Sequence, residues 1–205
     1  MKFRRFPIQI YFLDNDLSLS AKYQTNKSLV KCITGCMQAL ICARFYFIGL
    51  RNKKFYKYYF DKERKEETME RFFPLWPLKQ SPKFMQYTSK ESKWTRKCKE
   101  HYDYIKQYLD ILLEEYLYRF GKEHGLAKFS EWLDFDAPKL NIPIGNISKI
   151  ILPWKVLDIK YRRKNIIEGY RLKFLSTIEK PDIDFLKTKR DIPEFVLEHF
   201  KLYFS

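Results

Sequence analysis

Residues 92–120 carry the longest unbroken pattern in the chain. Trp94, Cys98, Tyr102, Ile105, Leu109, Leu112, Leu113, Tyr116, Leu117 and Phe120 recur every three or four residues, apart from adjacent pairs. That spacing places them along one face of a helix and does not fit a strand. It predicts a helix over 92–120 that buries a wide stripe and ends at Gly121 in a left-handed cap. Leu29, Cys32, Ile33, Cys36, Met37, Leu40, Ile41 and Ala43 repeat the spacing. They predict a second helix, capped by Thr25 or Asn26, that runs to about Phe47 and stops at Gly49.

The remaining elements are shorter. Residues 7–13 (PIQIYFL) form a short apolar run rich in β-branched and aromatic side chains, as in a buried strand. Asp14, Asn15 and Asp16 supply a turn, and Ser18 or Ser20 can cap a helical piece reaching Tyr23. Residues 61–71 have nearly balanced charge and suit a solvated helix, and 72–83 hold three prolines around Trp76, as in a rigid loop. A helix over 126–133, a proline-marked loop over 136–153, a basic helix over 159–176 and a last helix over 193–203 complete the reading. The expected fold is mainly α: a compact helical domain with a short N-terminal strand and room for a small sheet. Residues 1–205 are taken as a single domain, with 51–88 as an insertion or flap.

Charge decides which partners are plausible. The chain has 40 basic and 25 acidic side chains, a net +15. The excess is segregated: residues 1–60 hold 11 basic and 2 acidic groups, 137–190 hold 13 and 5, and 107–136 hold 3 and 7. Segregated positive charge raises a local potential that attracts phosphates. An acidic protein partner or an anionic membrane is the competing explanation. The four cysteines lack the ligand spacing of a zinc site and fit buried thiols in a reducing compartment. There is no apolar run of about 18 residues, so no membrane span is expected. No metal or cofactor is expected, and nucleophile-elbow, zincin, P-loop and dinucleotide motifs are absent.

Three segments carry candidate chemistry. Residues 51–59 (RNKKFYKYY) alternate bases with aromatics, so Arg51, Lys53, Lys54 and Tyr56 are nucleic-acid candidates. Cations neutralise phosphates, and a stacked base is worth about 1–3 kcal/mol. Lys160, Arg162, Arg163 and Lys164 crowd one predicted helical turn and repel one another unless a phosphate partner is present. Residues 114–124 (EEYLYRFGKEH) gather Glu115, Tyr116, Arg119, Lys122 and His124 at one helix end. Such a set offers acid–base and phosphate-binding groups, or a salt-bridged terminus. Glu115 and Arg119 stand one turn apart, a spacing that allows a pair.

Residues 13–40 (LDNDLSLSAKYQTNKSLVKCITGCMQAL), 92–124, 168–174 (EGYRLKF) and 192–195 (IPEF) resemble, in order, the elements of a family of small tailed-phage proteins. That family is mostly uncharacterised, and some members carry a pyrimidine-dimer DNA glycosylase-like label. The resemblance covers about half of the chain. It implies a viral origin, DNA as partner and base chemistry. It maps onto Asp14, Lys27, Lys31, Gln38, Trp94, Glu115, Tyr116, Arg119, Gly121, Lys122, His124, Tyr170 and Arg171. By that mapping Asp14 or Glu115 is the carboxylate, Lys27 or Lys31 the cation or Schiff-base nucleophile, and Arg171 a nucleic-acid contact. The departures are chemical: Gln24 and Ser28 stand where the family has histidines, Asn26 where it has aspartate, and Ser89 in place of another histidine. Loss of these groups removes the obvious proton carriers.

Two functions are therefore expected side by side. One is a glycosylase-like or base-modifying enzyme. The other is a catalytically degenerate nucleic-acid-binding protein or basic part of a viral assembly. A charge-driven inhibitor of a host protein stands behind both. The expected setting is the cytoplasm of a virus-infected cell, or the virion.

Overall fold

A computed structural model describes residues 8–47, 89–136, 142–145, 147, 150–153, 156–186 and 188–204. Among them are eight α-helices: α1 (Leu17–Lys22), α2 (Asn26–Phe47), α3 (Lys90–Thr95), α4 (Lys99–Phe120), α5 (Ala127–Asp136), α6 (Ile166–Leu175), α7 (Pro181–Leu186) and α8 (Glu194–Phe204). A 3-10 turn, Ile159–Tyr161, precedes α6. No strand occurs among the described residues, and none of their helices is long and apolar enough to cross a membrane. The expectations for residues 51–88, including Arg51, Lys53, Lys54 and Tyr56, lie outside the described residues.

The described residues group into two compact units. One draws on Met1–Ile8, Met37–Lys106 and Gly125–Ile150, the other on Gln9–Cys36, Gln107–His124 and Ile151–Ser205.

In the second unit the predicted strand is replaced by something else. Residues 9–13 have no ladder partner, so side chains satisfy their main chain. Tyr11 N–H donates to Cys32 Sγ (3.4 Å) and Leu13 N–H to Ser20 Oγ (2.8 Å). Tyr11 O accepts from Tyr108 Oη (2.7 Å) and Gln24 Nε2 (3.2 Å), and Leu13 O from Arg171 Nε (2.7 Å). Buried main-chain groups must be paired, and here the pairing comes from α1, α2, α4 and α6 in place of a sheet. Gly35 lets this segment cross α2, because a Cβ there would lie 2.4 Å from Gln9 O. Around it Tyr11, Phe12, Tyr108, Tyr170 and Phe174 are almost fully buried, and Phe12 meets Tyr170 edge to face at 5.3 Å. Each such side chain contributes about 2 kcal/mol of burial.

Helix starts follow local chemistry, with two corrections. α1 is capped by Asp16, whose carboxylate accepts from Ser18 N–H and Leu19 N–H, while Ser20 turns inward. The expected cap was Ser18 or Ser20. α2 is capped by Thr25, which accepts from Ser28 N–H at 3.1 Å. The basic helix expected over 159–176 begins only at Ile166, where Asn165 caps it. Lys160–Lys164 therefore occupy a 3-10 turn and the loop after it, and not one helical turn.

In the first unit the helix expected over 92–120 is broken at residues 96–98. The preceding turn is α3, whose N-cap Ser89 accepts from Ser92 N–H at 3.0 Å. α4 restarts at Lys99, whose N–H donates to Pro143 O at 2.8 Å. Glu100 accepts from Gly145 N–H with both oxygens, at 3.0 and 2.8 Å. A long-range anchor thus takes over where the local ladder stops. Gly121 ends α4 with φ 65°, the expected left-handed cap.

Candidate nucleic-acid interface

The end of α4 is built the reverse of an ordinary surface helix. Arg119 and Glu115 are buried, whereas Leu117, Tyr118 and Phe120 are 47%, 51% and 37% exposed. The expected pairing of Glu115 with Arg119 is present, Nε to Oε1 at 2.7 Å. Arg119 also donates to Gln24 O (2.7 Å), Lys22 O (3.0 Å), Ala21 O (3.3 Å) and Asn26 Oδ1 (3.3 Å). It thereby satisfies the carbonyls left over where α1 ends. Arg190 closes the other side of Glu115, Nε to Oε1 at 3.0 Å and Nη2 to Oε2 at 2.8 Å. Its guanidinium lies 4.0 Å from the centre of the Tyr118 ring. Burial alone would raise the Glu115 carboxyl, but hydrogen bonds and charge from Arg190 and Arg119 outweigh it and hold the group below its usual range.

The remaining candidates from this segment sit nearby. Tyr116 packs against Phe120 (4.4 Å between ring centres) and edge-on to His124 (4.8 Å). Burial lowers the His124 pKa. Lys122 is exposed. Asp14 lies elsewhere on the unit, held by Arg171 Nη2 at 3.2 Å. Arg171 in turn donates to Leu13 O and lies over the Phe195 ring at 4.6 Å. Arg119 and Arg171 are thus absorbed into the fold.

Gln24 and Ser28 have structural roles. Gln24 and Ser28 are both buried. Gln24 Nε2 donates to Tyr11 O, Ser20 O and Tyr108 Oη, and its Oε1 accepts from Cys32 Sγ at 3.7 Å. Ser28 bonds back to Thr25. These residues hold the α1–α2 corner together. Cys32 itself is buried, which pushes its thiol up to about 12 and leaves it inert.

Cations remain. Lys27 and Lys31 stand one turn apart on the exposed side of α2, and neither makes an ion pair among the described residues. Lys31 and Lys173 both lie near enough to Cys32 to act on its charge, and Lys173 Nζ is 5.8 Å from the centre of the Tyr11 ring. Tyr161 feels Tyr11 in the same way, donates to Ser176 Oγ at 2.9 Å and carries Lys160 Nζ over its ring at 4.8 Å. Lys173 of α6 thus lies beside the Tyr11 ring, while Lys31 of α2 adjoins Cys32 and Lys160 covers Tyr161 in the 3-10 turn. The sequence reading named Lys31 and Lys160 but not Lys173. Lys173 stands two residues after Arg171 on α6. Arg163 and Lys164 are exposed beside Lys160, and Arg162 Nε is turned to Leu157 O at 3.1 Å.

No family model, no curated protein and no solved structure matches this chain.

Proposed function

We propose that this protein binds nucleic acid through its phosphates and does no base chemistry, as a degenerate relative of a viral, glycosylase-like family. One observation carries the reading. Both candidate carboxylates are occupied by arginine, Glu115 by Arg119 and Arg190 and Asp14 by Arg171, while Lys27 and Lys31 make no ion pair among the described residues. A general base at neutral pH works best with a pKa raised toward 7, and Glu115 is held in the opposite direction. A Schiff-base lysine is kept neutral by burial, and Lys27 and Lys31 are both exposed. Exposed lysines suit a different task. Each phosphate they neutralise releases a counterion, which lowers the slope of log K against log salt by about 0.9 on duplex DNA.

Fluorescence anisotropy with a labelled DNA duplex and a labelled single strand, between about 50 and 200 mM salt, tests this reading. The expected result is binding that weakens steeply with salt and is indifferent to base sequence. Borohydride treatment with damaged DNA is expected to leave no covalent adduct. A trapped adduct would overturn the non-catalytic part, and absence of binding at 50 mM salt the whole.

A second reading has its own observation. Leu117, Tyr118 and Phe120 expose apolar surface at the end of α4, with Arg190 stacked on Tyr118. Tyrosine and arginine over exposed apolar surface favour a viral or host protein partner. A stoichiometric complex that survives nuclease treatment supports that reading.

A further inference from the structure

Between α7 and α8 the chain turns at residues 188–190, and its backbone there is strained. Lys189 sits at φ 56°, the one non-glycine residue with a positive φ among the described residues. That region favours Gly, Asn and Asp, and a lysine is rarely found in it. A buried side chain holds the turn in this shape. Thr188 Oγ1 donates to Phe185 O at 2.8 Å and accepts from Arg190 N–H at 3.2 Å.

The strained residue is brought to one place, the last turn of α4 in the same compact unit. Lys189 Nζ donates to Tyr118 O at 3.4 Å and lies 5.9 Å from the centre of the Tyr118 ring. Arg190 lies over that ring at 4.0 Å, fixed by both oxygens of Glu115. Tyr118 nevertheless stays 51% exposed. An exposed contact between an ammonium and a ring contributes less stability than a left-handed lysine costs, so the fold alone gives no reason for lysine here. Strain that the surrounding bonds keep in place is concentrated at binding sites. Of the acids nearby, Glu115 is taken up by its arginines, and the exposed Glu114 and Asp191 make no ion pair with Lys189. Arg190 is therefore neutralised and braces the ring, while Lys189 keeps its charge.

We infer that Tyr118, Lys189 and Arg190 seat one unpaired nucleotide, its base stacked on the open part of the Tyr118 ring and its phosphate on the Lys189 ammonium. The inference rests on the proposed nucleic-acid binding and gives it a strand state. A base inside a duplex has no free face to offer a ring, so the seat selects single strands. Every base has such a face, so stacking of this kind reads no sequence. The unpaired ammonium beside the ring favours a nucleotide over the protein partner considered above.

The test measures binding of the full chain to a labelled oligothymidylate of about 15 nucleotides, to an abasic strand of the same length and to the duplex. The wild type is expected to prefer the oligothymidylate to both. Tyr118→Ala is expected to weaken that binding by about 5- to 150-fold, the range for one stacked base, and to leave the abasic strand unaffected. Tyr118→Phe is expected to keep the preference. Lys189→Asn supplies a residue suited to the left-handed backbone and removes the charge. It is expected to raise the melting temperature while weakening binding, with a single-strand salt slope flatter by about 0.7. A lysine that served only the fold would not move the two in opposite directions. Equal wild-type affinity for the abasic strand and the oligothymidylate, or no effect of Tyr118→Ala, would overturn the seat and leave phosphate binding standing. No wild-type binding to any strand at about 50 mM salt would overturn both. Unchanged DNA binding by Tyr118→Ala, with loss of a nuclease-resistant protein complex, would overturn the seat in favour of a protein partner.

Discussion

Glu115 accepts from Arg190 with both carboxylate oxygens and from Arg119 with one, so a single buried acid ties α4 to the turn before α8. The three groups form a closed unit of charge with little left to offer a substrate. Their worth lies in what happens when one is removed.

Glu115→Gln leaves two guanidinium groups without their counter-charge, one of them fully buried. Breaking a buried pair in this way costs about 3–5 kcal/mol, and the partial exposure of Arg190 favours the lower end. Urea unfolding is expected to show that loss. The pH dependence carries the same signature. The folded carboxyl is held below its ordinary value of 4.5, so its contribution is complete above that pH and is lost as the pH falls below it. Glu115→Gln is expected to flatten that acid limb of the stability curve.

His101 and His124 act in a higher window. Burial lowers both from 6.5, so the unfolded chain binds protons first as the pH drops. Stability from these groups is complete above pH 6.5 and declines below it, toward the folded values. His101→Gln is expected to remove part of that decline in thermal melts taken across the window, and the double variant with His124→Gln the rest.

Tyr108→Phe deletes a hydroxyl that donates to Tyr11 O and contacts Ser20 Oγ and Gln24 Nε2. Three buried polar groups then lose a partner, at a cost of about 1–3 kcal/mol. Circular dichroism is expected to keep its helical signal at a lowered melting temperature. An unchanged melting temperature would contradict the role given to this hydroxyl.

Three glycines separate close approach from backbone conformation. Gly35→Ala forces a Cβ to within 2.4 Å of Gln9 O, a main-chain atom that does not yield easily, and is expected to cost about 1–3 kcal/mol. Gly121→Ala meets no neighbour but must hold φ near 65°, at about 1–2 kcal/mol. Gly125→Ala has neither problem and is expected to be neutral or stabilising by up to about 1 kcal/mol. Denaturant midpoints of the three variants order them directly.

Much of the helical architecture was legible because burial writes a period into the sequence. α2 is found at Asn26–Phe47, and the Glu115–Arg119 pair and the Gly121 cap follow from spacing alone. The break at residues 96–98 was not legible. Trp94, Cys98, Tyr102 and Ile105 keep helical spacing straight through it, with no Gly or Pro, and the group that stabilises the break is Pro143 O, far away in sequence. Residues 7–13 read as a strand because their side chains are those of one. Nothing local reveals that hydroxyl, thiol and guanidinium groups would take the place of a neighbouring strand. Glu115 and Arg119 looked like chemistry for a related reason: reactive groups and buried ionic knots draw on the same residue types, and only the second arginine, Arg190, separates the cases.

A sheet recruits partners that every residue possesses, whereas residues 9–13 depend on particular atoms contributed by distant positions. The bond from Tyr108 to Tyr11 closes a loop of 97 residues, and that from Arg171 to Leu13 one of 158. Neither can form until segments far apart in the chain have met, so docking of this segment belongs to a late cooperative step of folding. The Tyr11 and Leu13 amides should accordingly exchange with solvent only through global opening, making them internal reporters of whole-chain stability.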